Sequence, residues 1–405
     1  MVFATHLAQA AAGAPDTSFG NGGKVQTNFT KIATNGAVAK AALIQQDGKI
    51  VIAVIFIATQ AATESAGLVR YLSNGSLDVS YGQRGAAMVS FTNFINVPNS
   101  VAIQGDGKII IAGEAQTADG DTSEFALARL NTNGSLDSTF GNGGKVTTNF
   151  VGVQAGGVSN PANAVVLQPD GKILAAGLAS ECAKCSHDTA LARYNTNGAL
   201  DTTFGTGGKV RVTLNAGPPD ALGVLTNCHI LTLSGTSIFE FDSSGVLQST
   251  VTGGTIAAAS TGGTNVFQPD GRFIATVPAA GDNRHDSDMR VERFQPSGSA
   301  DSTFNSPVFE LGSAAAFEPN GQILLGAQPD AEQPGAGFFV SRMNIDGSLD
   351  TSFGDGGAVN TQFPNTSALV AAIVVQTDGK IVAVGTALEN GGGPADIALA
   401  RYLGQ

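Results

Sequence analysis

The sequence predicts an all-β fold: a seven-bladed β-propeller with four antiparallel strands in each blade. Two motifs recur in a fixed order, an Asp-Gly motif such as QPDGKI and a Gly-rich motif such as LDTTFGTGGKV, with an Arg-containing segment such as LARYNTNG between them. Gly accounts for 53 of the 405 residues and charged residues for only 13%, which suits many short strands joined by tight turns. Such a repeat, with no helical periodicity between its motifs, indicates a propeller.

Blade 3 shows the four strands most plainly. Strand A is NAVVLQ, strand B is KILAAGLA, strand C is TALARYN and strand D lies around GKVRVTL. A Pro-Asp-Gly turn separates A from B, and a Thr-Asn-Gly turn follows C. Asp-Gly and Asn-Gly between apolar runs predict hairpins, because these turns need a positive φ that Gly and Asn adopt at little cost.

The ends of the chain predict how the ring closes. Seven Asp-Gly elements are present when a degenerate unit at 215–262 is counted. The chain starts with a D-type segment, Asp16 to Phe29, and stops after a C-type segment, Ala398 to Leu403. We therefore expect the N-terminal strand to join the last blade, which removes an open sheet edge. An open β-solenoid is the weaker alternative, since it gives no reason for complementary ends.

At these motifs the sequence resembles the delta-60 repeat family of bacterial β-propeller proteins. The resemblance covers residues 15–405 and implies one propeller domain, an extracytoplasmic location and no common catalytic motif. Residues 1–14, MVFATHLAQAAAGA, form an N-terminal extension or the remnant of a signal peptide, since Ala-Gln-Ala resembles a cleavage site. We expect an extracellular or periplasmic protein.

Composition excludes several partners. The net charge is −12 and no basic cluster is present, so nucleic acid is not expected as a partner. The longest apolar run, Ile50 to Ala58, is too short to span a bilayer as a helix. We expect a monomer that binds an extracellular protein, peptide or carbohydrate.

The Arg of strand C is followed eight residues later by an Asp in every intact repeat. The turn between them brings the two side chains together, and a paired Arg and carboxylate are tolerated in a partly buried sheet. We predict one structural ion pair per intact blade: Arg70–Asp78, Arg129–Asp137, Arg193–Asp201, Arg293–Asp301, Arg342–Asp350 and, across the closure, Arg401–Asp16.

The B–C and D–A loops are long and variable, whereas the A–B and C–D turns are short and uniform. Binding usually resides in variable loops on a rigid scaffold, so these loops predict a ligand-binding face. Its carboxylates include Glu124, Asp188, Asp282, Asp288 and Asp396. A solvated acidic rim is the plain reading, and a calcium site is the alternative, with Asp119, Asp121, Asp282 and Asp286 as candidate ligands.

The insertion ECAKCSHD carries the most distinctive residues. Cys182 and Cys185 predict a local disulfide in an exported protein, with a zinc site or free thiols as the alternatives. The third cysteine, Cys228, is placed at the start of an apolar strand and is expected to be a buried small hydrophobe. His187, and His285 next to Asp286, are the candidate general bases, although a lone loop His is more often only solvated.

Two functions therefore remain. The first is a secreted binding module that uses the B–C and D–A loops. The alternative is a hydrolase or lyase at the mouth of the central channel, assisted by a cation. A channel lined only by small and aliphatic residues would argue against the enzyme, because fold alone decides neither.

Overall fold

The computed structural model describes residues 11–57, 64–91, 94–117, 123–150, 160–180, 187–213, 219–234, 237–252, 266–268, 270–278, 289–309, 312–327 and 336–404. Within them the chain forms seven four-stranded antiparallel sheets, which confirms the predicted all-β, seven-bladed propeller.

The first strand, β1 (Lys24–Thr27), belongs to the last blade, and blades 1 to 3 follow it, each in the order A, B, C, D. Blade 1 contains β2 (Ala37–Ile44), β3 (Ile50–Phe56), β4 (Ser65–Tyr71) and β5 (Ala86–Val89). Blade 2 contains β6 (Phe94–Ile103), β7 (Ile109–Thr117), β8 (Ser123–Leu130) and β9 (Lys145–Thr148). Blade 3 contains β10 (Ala162–Leu167), β11 (Ile173–Ala179), β12 (Asp188–Tyr194) and β13 (Lys209–Val212).

Blades 4 to 7 complete the ring. Blade 4 contains β14 (Pro219–Val224), β15 (Ile230–Ser234), β16 (Ser237–Phe241) and β17 (Leu247–Thr252). Blade 5 contains β18 (Val266–Phe267), β19 (Phe273–Pro278), β20 (Met289–Phe294) and β21 (Val308–Phe309). Blade 6 contains β22 (Gly312–Phe317), β23 (Ile323–Ala327), β24 (Phe338–Met343) and β25 (Ala358–Thr361). Blade 7 contains β26 (Thr366–Val375), β27 (Ile381–Glu389) and β28 (Ala395–Tyr402), with β1 as its fourth strand.

The N-terminal strand closes the ring as the sequence predicts. β1 pairs antiparallel with β28, so that Lys24 lies opposite Ala400 and Thr27 opposite Ile397. Next to this pairing, the amide of Gly13 donates to the carbonyl of Leu403 at 2.8 Å. The two ends of the chain thus meet where the other blades have their C–D turn.

The A strands of neighbouring blades contact one another, so they surround the centre of the ring and the D strands form its rim. The hydrophobic core is divided into layers between blades. One layer packs Leu174 and Leu191 of blade 3 against Phe239 and Phe241 of blade 4. Burial of apolar side chains between sheets is therefore the main force that joins consecutive blades.

The A–B and C–D turns lie together on one face of the ring, which we call the turn face; the B–C and D–A connections form the loop face. In the A–B turn of blade 3, Gly171 has φ 81° and the amide of Lys172 donates to Asp170 Oδ1 at 3.1 Å. In the C–D turn, Gly198 has φ 86°, and a Cβ there would lie 2.9 Å from the Phe140 ring of blade 2. Gly198 therefore serves both the turn and the approach of the neighbouring blade.

Candidate functional site

Eight predicted site residues lie outside the described part of the chain, and their roles stay predictions. They are the candidate calcium ligands and loop-face carboxylates Asp119, Asp121, Asp282, Asp286 and Asp288, the candidate base His285, and the pair Cys182 and Cys185.

Two of the predicted ligand-binding carboxylates have partners inside their own blades. Asp188 is fully buried at the start of β12, and Arg211 Nε of strand D donates to its Oδ2 at 2.7 Å. Asp396 in β28 is also buried, and it accepts from Gln26 Nε2 at 2.9 Å and Asn28 Nδ2 at 2.8 Å. Both side chains therefore tie strand C to strand D, in contrast to the exposed binding role expected for them.

Glu124 occupies the corresponding position in blade 2. It is half-buried, and Asn149 Nδ2 donates to its Oε1 at 3.1 Å. His187, the remaining described candidate, is exposed and directly precedes Asp188. Among the residues that the structure describes, no three His, Cys, Asp or Glu side chains lie close enough together to hold a metal ion.

The strongest charged constellation is the set of six Arg–Asp pairs. In each pair a guanidinium nitrogen lies 2.8 Å from an Asp Oδ2, and both side chains are largely buried. The pairs are Arg70–Asp78, Arg129–Asp137, Arg193–Asp201, Arg293–Asp301, Arg342–Asp350 and Arg401–Asp16. The second carboxylate oxygen accepts from the amide and hydroxyl of the Ser or Thr two residues further on. Both oxygens of the clasp carboxylate are thereby engaged.

Each Arg also reaches the next blade. Arg193 Nη1 donates to the carbonyl of Ser243 in the C–D turn of blade 4, and its guanidinium carbon lies 4.6 Å from the ring centroid of Phe204. The amide of Gly205 donates to the carbonyl of Ser244 at 2.8 Å. The corresponding Arg acceptors elsewhere are the carbonyls of Ser73, Thr132, Thr196, Ile345 and Gly404.

We call this unit the clasp: the Arg of strand C, the Asp that pairs with it (eight residues later, or Asp16 for Arg401) and the aromatic residue three positions after that Asp. The aromatic ring of one clasp packs against the turn Gly of the next blade, as Phe140 does against Gly198. Cation–π attraction and charge-assisted hydrogen bonds therefore act together at the same contact. The clasp joins blades as well as strands.

The Lys of the Asp-Gly motif completes several clasps. Lys172 Nζ lies 3.1 Å from Asp201 Oδ2, and Lys108 Nζ lies 3.0 Å from Asp137 Oδ2. In blade 6 the position is occupied by Gln322, whose Nε2 donates to Asp350 Oδ2 at 2.8 Å. A neutral donor thus fulfils the same role.

These contacts lower the pKa of the clasp carboxylates. Burial raises the pKa of Asp201, but hydrogen bonds from Thr203 and Lys172 and the charge of Arg193 outweigh this effect. The pKa of Asp201 is therefore well below its ordinary value. In Asp16 burial is likewise outweighed by the hydrogen bonds from Ser18 and by the cations nearby, which brings the pKa to about 2. The carboxylates are thus held ionised, a poor state for a general acid.

Blade 4 has a different set at the same place. Glu240 lies opposite Leu231, as Arg193 lies opposite Leu174 in blade 3, and its Oε1 is 2.7 Å from His229 Nδ1. Cys228 occupies the turn position of Gly171, with φ 64°, and it is a free cysteine that is only half-buried. The expected burial of Cys228 is wrong, because the residue belongs to the turn and precedes the strand.

Between the A–B turns of neighbouring blades, three cavities open on the turn face. They measure about 770 Å³ between blades 2 and 3, 430 Å³ between blades 1 and 2, and 510 Å³ between blades 7 and 1. The first is lined by Gln104, Lys108, Gln168, Asp170 and Asn197 among others, and none of the three has an aromatic side chain in its lining. These cavities lie on the face opposite to the one that the loop lengths favour.

The inner strands carry little chemistry. Over their described bounds, the charged residues in the seven A strands are Lys40 in β2 and Asp220 in β14, and no His is present. Both residues lie at a β-bulge, between Ala39 and Ala41 and between Pro219 and Ala221. Ala and Val make up most of the remaining sequence, so the inner strands offer no pairing of an acid with a base.

The inter-blade part of the clasp was not predicted. The eight-residue spacing pointed to the Arg–Asp pairs, but the carbonyl acceptor of Arg193 lies 50 positions away in the next repeat. A signal for it was available in the aromatic residue that follows each clasp Asp at a fixed distance, as in Asp201 and Phe204.

Comparisons with known proteins agree with the repeat. A family described as "Domain of unknown function (DUF5122) beta-propeller" matches residues 45–81, 104–140, 168–204 and 376–404. No curated protein matches the sequence. The chain is thus a β-propeller repeat protein.

Among solved structures, a protein of unknown function from Dyadobacter fermentans is 11% identical, with 94% of this chain and 98% of that chain covered and a TM-score of 0.53. A streptogramin B lyase is 10% identical, with 94% of this chain and 97% of that chain covered and a TM-score of 0.49. The α-L-arabinofuranosidase Arb93A from Fusarium graminearum is 9% identical, with 93% of this chain and 96% of that chain covered and a TM-score of 0.49. Likeness at such identities concerns the fold alone.

No helix in the described part of the chain is long and apolar enough to cross a membrane.

Proposed function

We propose that this protein is a non-catalytic binding propeller, exported from the cell, that binds an extended peptide segment of a partner protein across its turn face. The observation that carries the proposal is the row of three cavities between blades 7, 1, 2 and 3. They are consecutive around the ring and are built from the same repeat positions, so one extended ligand meets similar groups at each step.

The lining of the cavities favours a peptide over a carbohydrate. Each A–B turn of blades 7, 1, 2 and 3 presents an Asp that is about half exposed next to a partly exposed Lys, as at Asp106 and Lys108 with side-chain exposures of 56% and 30%. Such paired charges, together with Gln and Asn amides, suit the amide groups and charged side chains of a peptide. Carbohydrate platforms usually rely on stacking against aromatic rings, and these linings contain none.

The inner strands and the clasps favour binding over catalysis. A hydrolase needs a general acid and a general base within reach of one substrate atom. The clasp carboxylates are paired with their Arg partners, and no His lies within the described bounds of the A strands.

The test is selection of a random peptide library displayed on phage against the immobilised full chain, followed by calorimetric titration of the selected peptides. Lys108→Gln is the test variant, since Gln322 shows that Gln serves the clasp. Arg272→Gln is the matched control, because Arg272 is the A–B turn cation of blade 5 and pairs with Asp270 at 2.7 Å, away from the three cavities. We expect Lys108→Gln to weaken binding about fivefold or more and Arg272→Gln to leave it unchanged.

Failure to enrich any peptide above an unrelated immobilised protein would refute the peptide ligand. Enriched peptides that bind both variants equally would refute the position of the site. Cleavage of a selected peptide, seen by mass spectrometry after incubation, would refute the non-catalytic role.

A further inference from the structure

A fourth cavity lies beside the outer strand of blade 1, and we call it the rim pocket. It measures about 430 Å³ and is formed mainly by β5 and by the C–D turn of blade 2. Its apolar lining residues include Ile32, Ala86, Met88 and Leu136. The lining of the rim pocket contains no charged residue, whereas each of the three cavities between A–B turns is lined by both Asp and Lys.

The rim pocket coincides with a departure of blade 1 from the repeat. In blades 7, 2 and 3 the outer strand begins with a Lys whose Nζ donates to a backbone carbonyl of the preceding blade: Lys24 to Gln362, Lys145 to Ser90 and Lys209 to Asn149. In blade 1 this position is held by Ala86, so no long side chain runs from it to the neighbouring blade. Two positions later, Met88 replaces a residue that is polar in the other four-residue outer strands, namely Gln26, Thr147, Arg211 and Asn360.

Blade 1 also exposes apolar side chains around this departure. Met88 is 47% exposed, and Val79, in the C–D connection of the same blade, is 70% exposed. The position of Val79 is held by Ser or Thr in the other blades that have a clasp: Thr17, Ser138, Thr202, Ser302 and Thr351. Because Met88 lies in the wall of a cavity, its exposure is typical of a contact site, and a Met side chain adjusts readily to the shape of a partner.

The rim pocket adjoins the proposed peptide site. Thr132 lines the cavity between blades 1 and 2, and Asn133 and Gly134, the next two residues of the same C–D turn, line the rim pocket. A single turn therefore separates the two cavities. An extended peptide that leaves the first cavity in the outward direction crosses this turn and meets the second.

We propose that the rim pocket receives one large apolar side chain, Leu, Met or Phe, of the bound peptide. This inference rests on the proposed function and names the residue class that gives the peptide site its specificity. The uncharged lining favours an apolar side chain, because a charged one would lose its hydration without gaining a partner. Apolar anchors in pockets of this kind usually carry a large share of the binding energy.

The first experiment asks whether the pocket takes an apolar side chain by itself. The chain has four Met residues, so labelling of their methyl carbons gives a simple NMR spectrum, in which Met88 is assigned by the loss of its signal in Met88→Leu. N-acetyl-leucinamide is the probe, and N-acetylglycinamide, which lacks the side chain, is the control compound. We expect the Met88 signal to shift with millimolar leucine probe and to stay constant with the glycine compound.

Ala86→Lys fills the pocket with the residue that the repeat supplies. Lys145 and Lys209 show that the position accommodates a Lys, and we expect the new Nζ to donate to the carbonyl of Asn28. Ala358→Lys is the matched control, since Ala358 begins the outer strand of blade 6. We expect the shift of the Met88 signal to fall about fivefold or more in Ala86→Lys and to be unchanged in Ala358→Lys. A wild-type signal that does not respond to the leucine probe, or an equal shift in both variants, would overturn the proposal.

The second experiment tests the pocket as part of the peptide site. We expect peptides selected on the wild type to share Leu, Met or Phe at one position, and replacement of that residue by Ala to weaken binding about tenfold or more in calorimetric titration. Met88→Thr introduces at an exposed position the residue type that blade 2 has in Thr147. We expect this variant to bind the selected peptides about fivefold more weakly and to lose most of the difference between the original and Ala-substituted peptides.

The outcomes separate this proposal from the proposed function. Peptides that respond to Lys108→Gln but share no apolar position, or that bind Met88→Thr as tightly as the wild type, would overturn the role of the rim pocket and leave the peptide site intact. Failure to enrich any peptide would refute the proposed function, and the Met88 signal would then decide alone whether the pocket takes an apolar side chain.

Discussion

Blades 3 and 4 are neighbours with the same four-strand topology, yet they are held by different chemistry. Blade 3 has a complete clasp in Arg193, Asp201 and Phe204, which contacts the turn of blade 4. Blade 4 has Glu240 paired with His229 at the equivalent place. The four strands therefore do not require the clasp, and its repetition in six blades reflects the joining of blades.

The difference also separates scaffold from candidate function. The Asp-Gly-Lys motif resembles a catalytic loop when it is read once, but in blade 3 its Lys172 contacts the clasp and its Asp170 caps the turn. In blade 4, where the clasp is absent, residues 246–250 of the C–D turn and the outer strand are all exposed. The proposed peptide site, in contrast, is built from the regular repeat positions of blades 7, 1, 2 and 3.

The largest expected effect is loss of all six clasps in acid. The folded pKa of Asp16 is about 2, below its ordinary value of 3.8, and those of Asp201 and Asp137 are lowered as well. A depressed folded pKa contributes stability above the ordinary value and loses it as the pH falls toward the folded one. We expect the free energy of unfolding, measured in urea, to vary little with pH from neutral down to about pH 4. Between about pH 4 and pH 2 we expect it to fall steeply.

Asp201→Asn sharpens this prediction. The variant is less stable than the wild type at neutral pH, but it has one titrating clasp fewer, so its stability falls less over the acid range. A main loss of stability at a pH well above 4 would show that groups other than the clasp carboxylates control acid unfolding.

The next largest effect distinguishes the two blades directly. Arg193→Ala leaves the buried Asp201 without its Arg and removes the contact with Ser243, so we expect a loss of about 3–5 kcal/mol in the free energy of unfolding. Glu240→Ala removes a partly exposed partner of His229, and we expect a change of at most about 1 kcal/mol. Urea unfolding followed by tyrosine fluorescence measures both, since the chain has no Trp. Equal losses would mean that the clasp contributes no more than the pair that replaces it.

The sequence predicted those parts of the fold that depend on local geometry. Asp170-Gly171 fixes a tight hairpin, and the spacing of Arg193 and Asp201 follows from the C–D turn, because both features are set within a few residues. The closure of the ring was predictable for a related reason, since each blade needs four strands and only the two ends together supply the last one.

The site was less predictable because it depends on how repeats face one another. The acceptor of Arg193 lies in another blade, and the three cavities form between A–B turns of consecutive repeats. Asp188 and Asp396 looked like free loop carboxylates, but the register of strands C and D places them beside Arg211 and Gln26. Loop length alone could not reveal these pairings.

The smallest expected effect concerns the turn of blade 4. Cys228 has φ 64°, in the left-handed region, and this conformation costs a residue with a side chain roughly 1–2 kcal/mol. A Gly at the same position avoids that strain, but it loses more conformational freedom on folding, which offsets part of the gain in stability. We expect Cys228→Gly to raise the free energy of unfolding by about 0.5–1 kcal/mol. The reciprocal variant is Gly171→Cys in blade 3, where φ is 81° and the nearest atom to an added Cβ, in Thr196, is 3.5 Å away, so space is available and only the backbone is strained. We expect Gly171→Cys to lower the free energy of unfolding by a similar amount. If Cys228→Gly lowered the free energy of unfolding, the thiol of Cys228 would make contacts that outweigh the strain of its backbone.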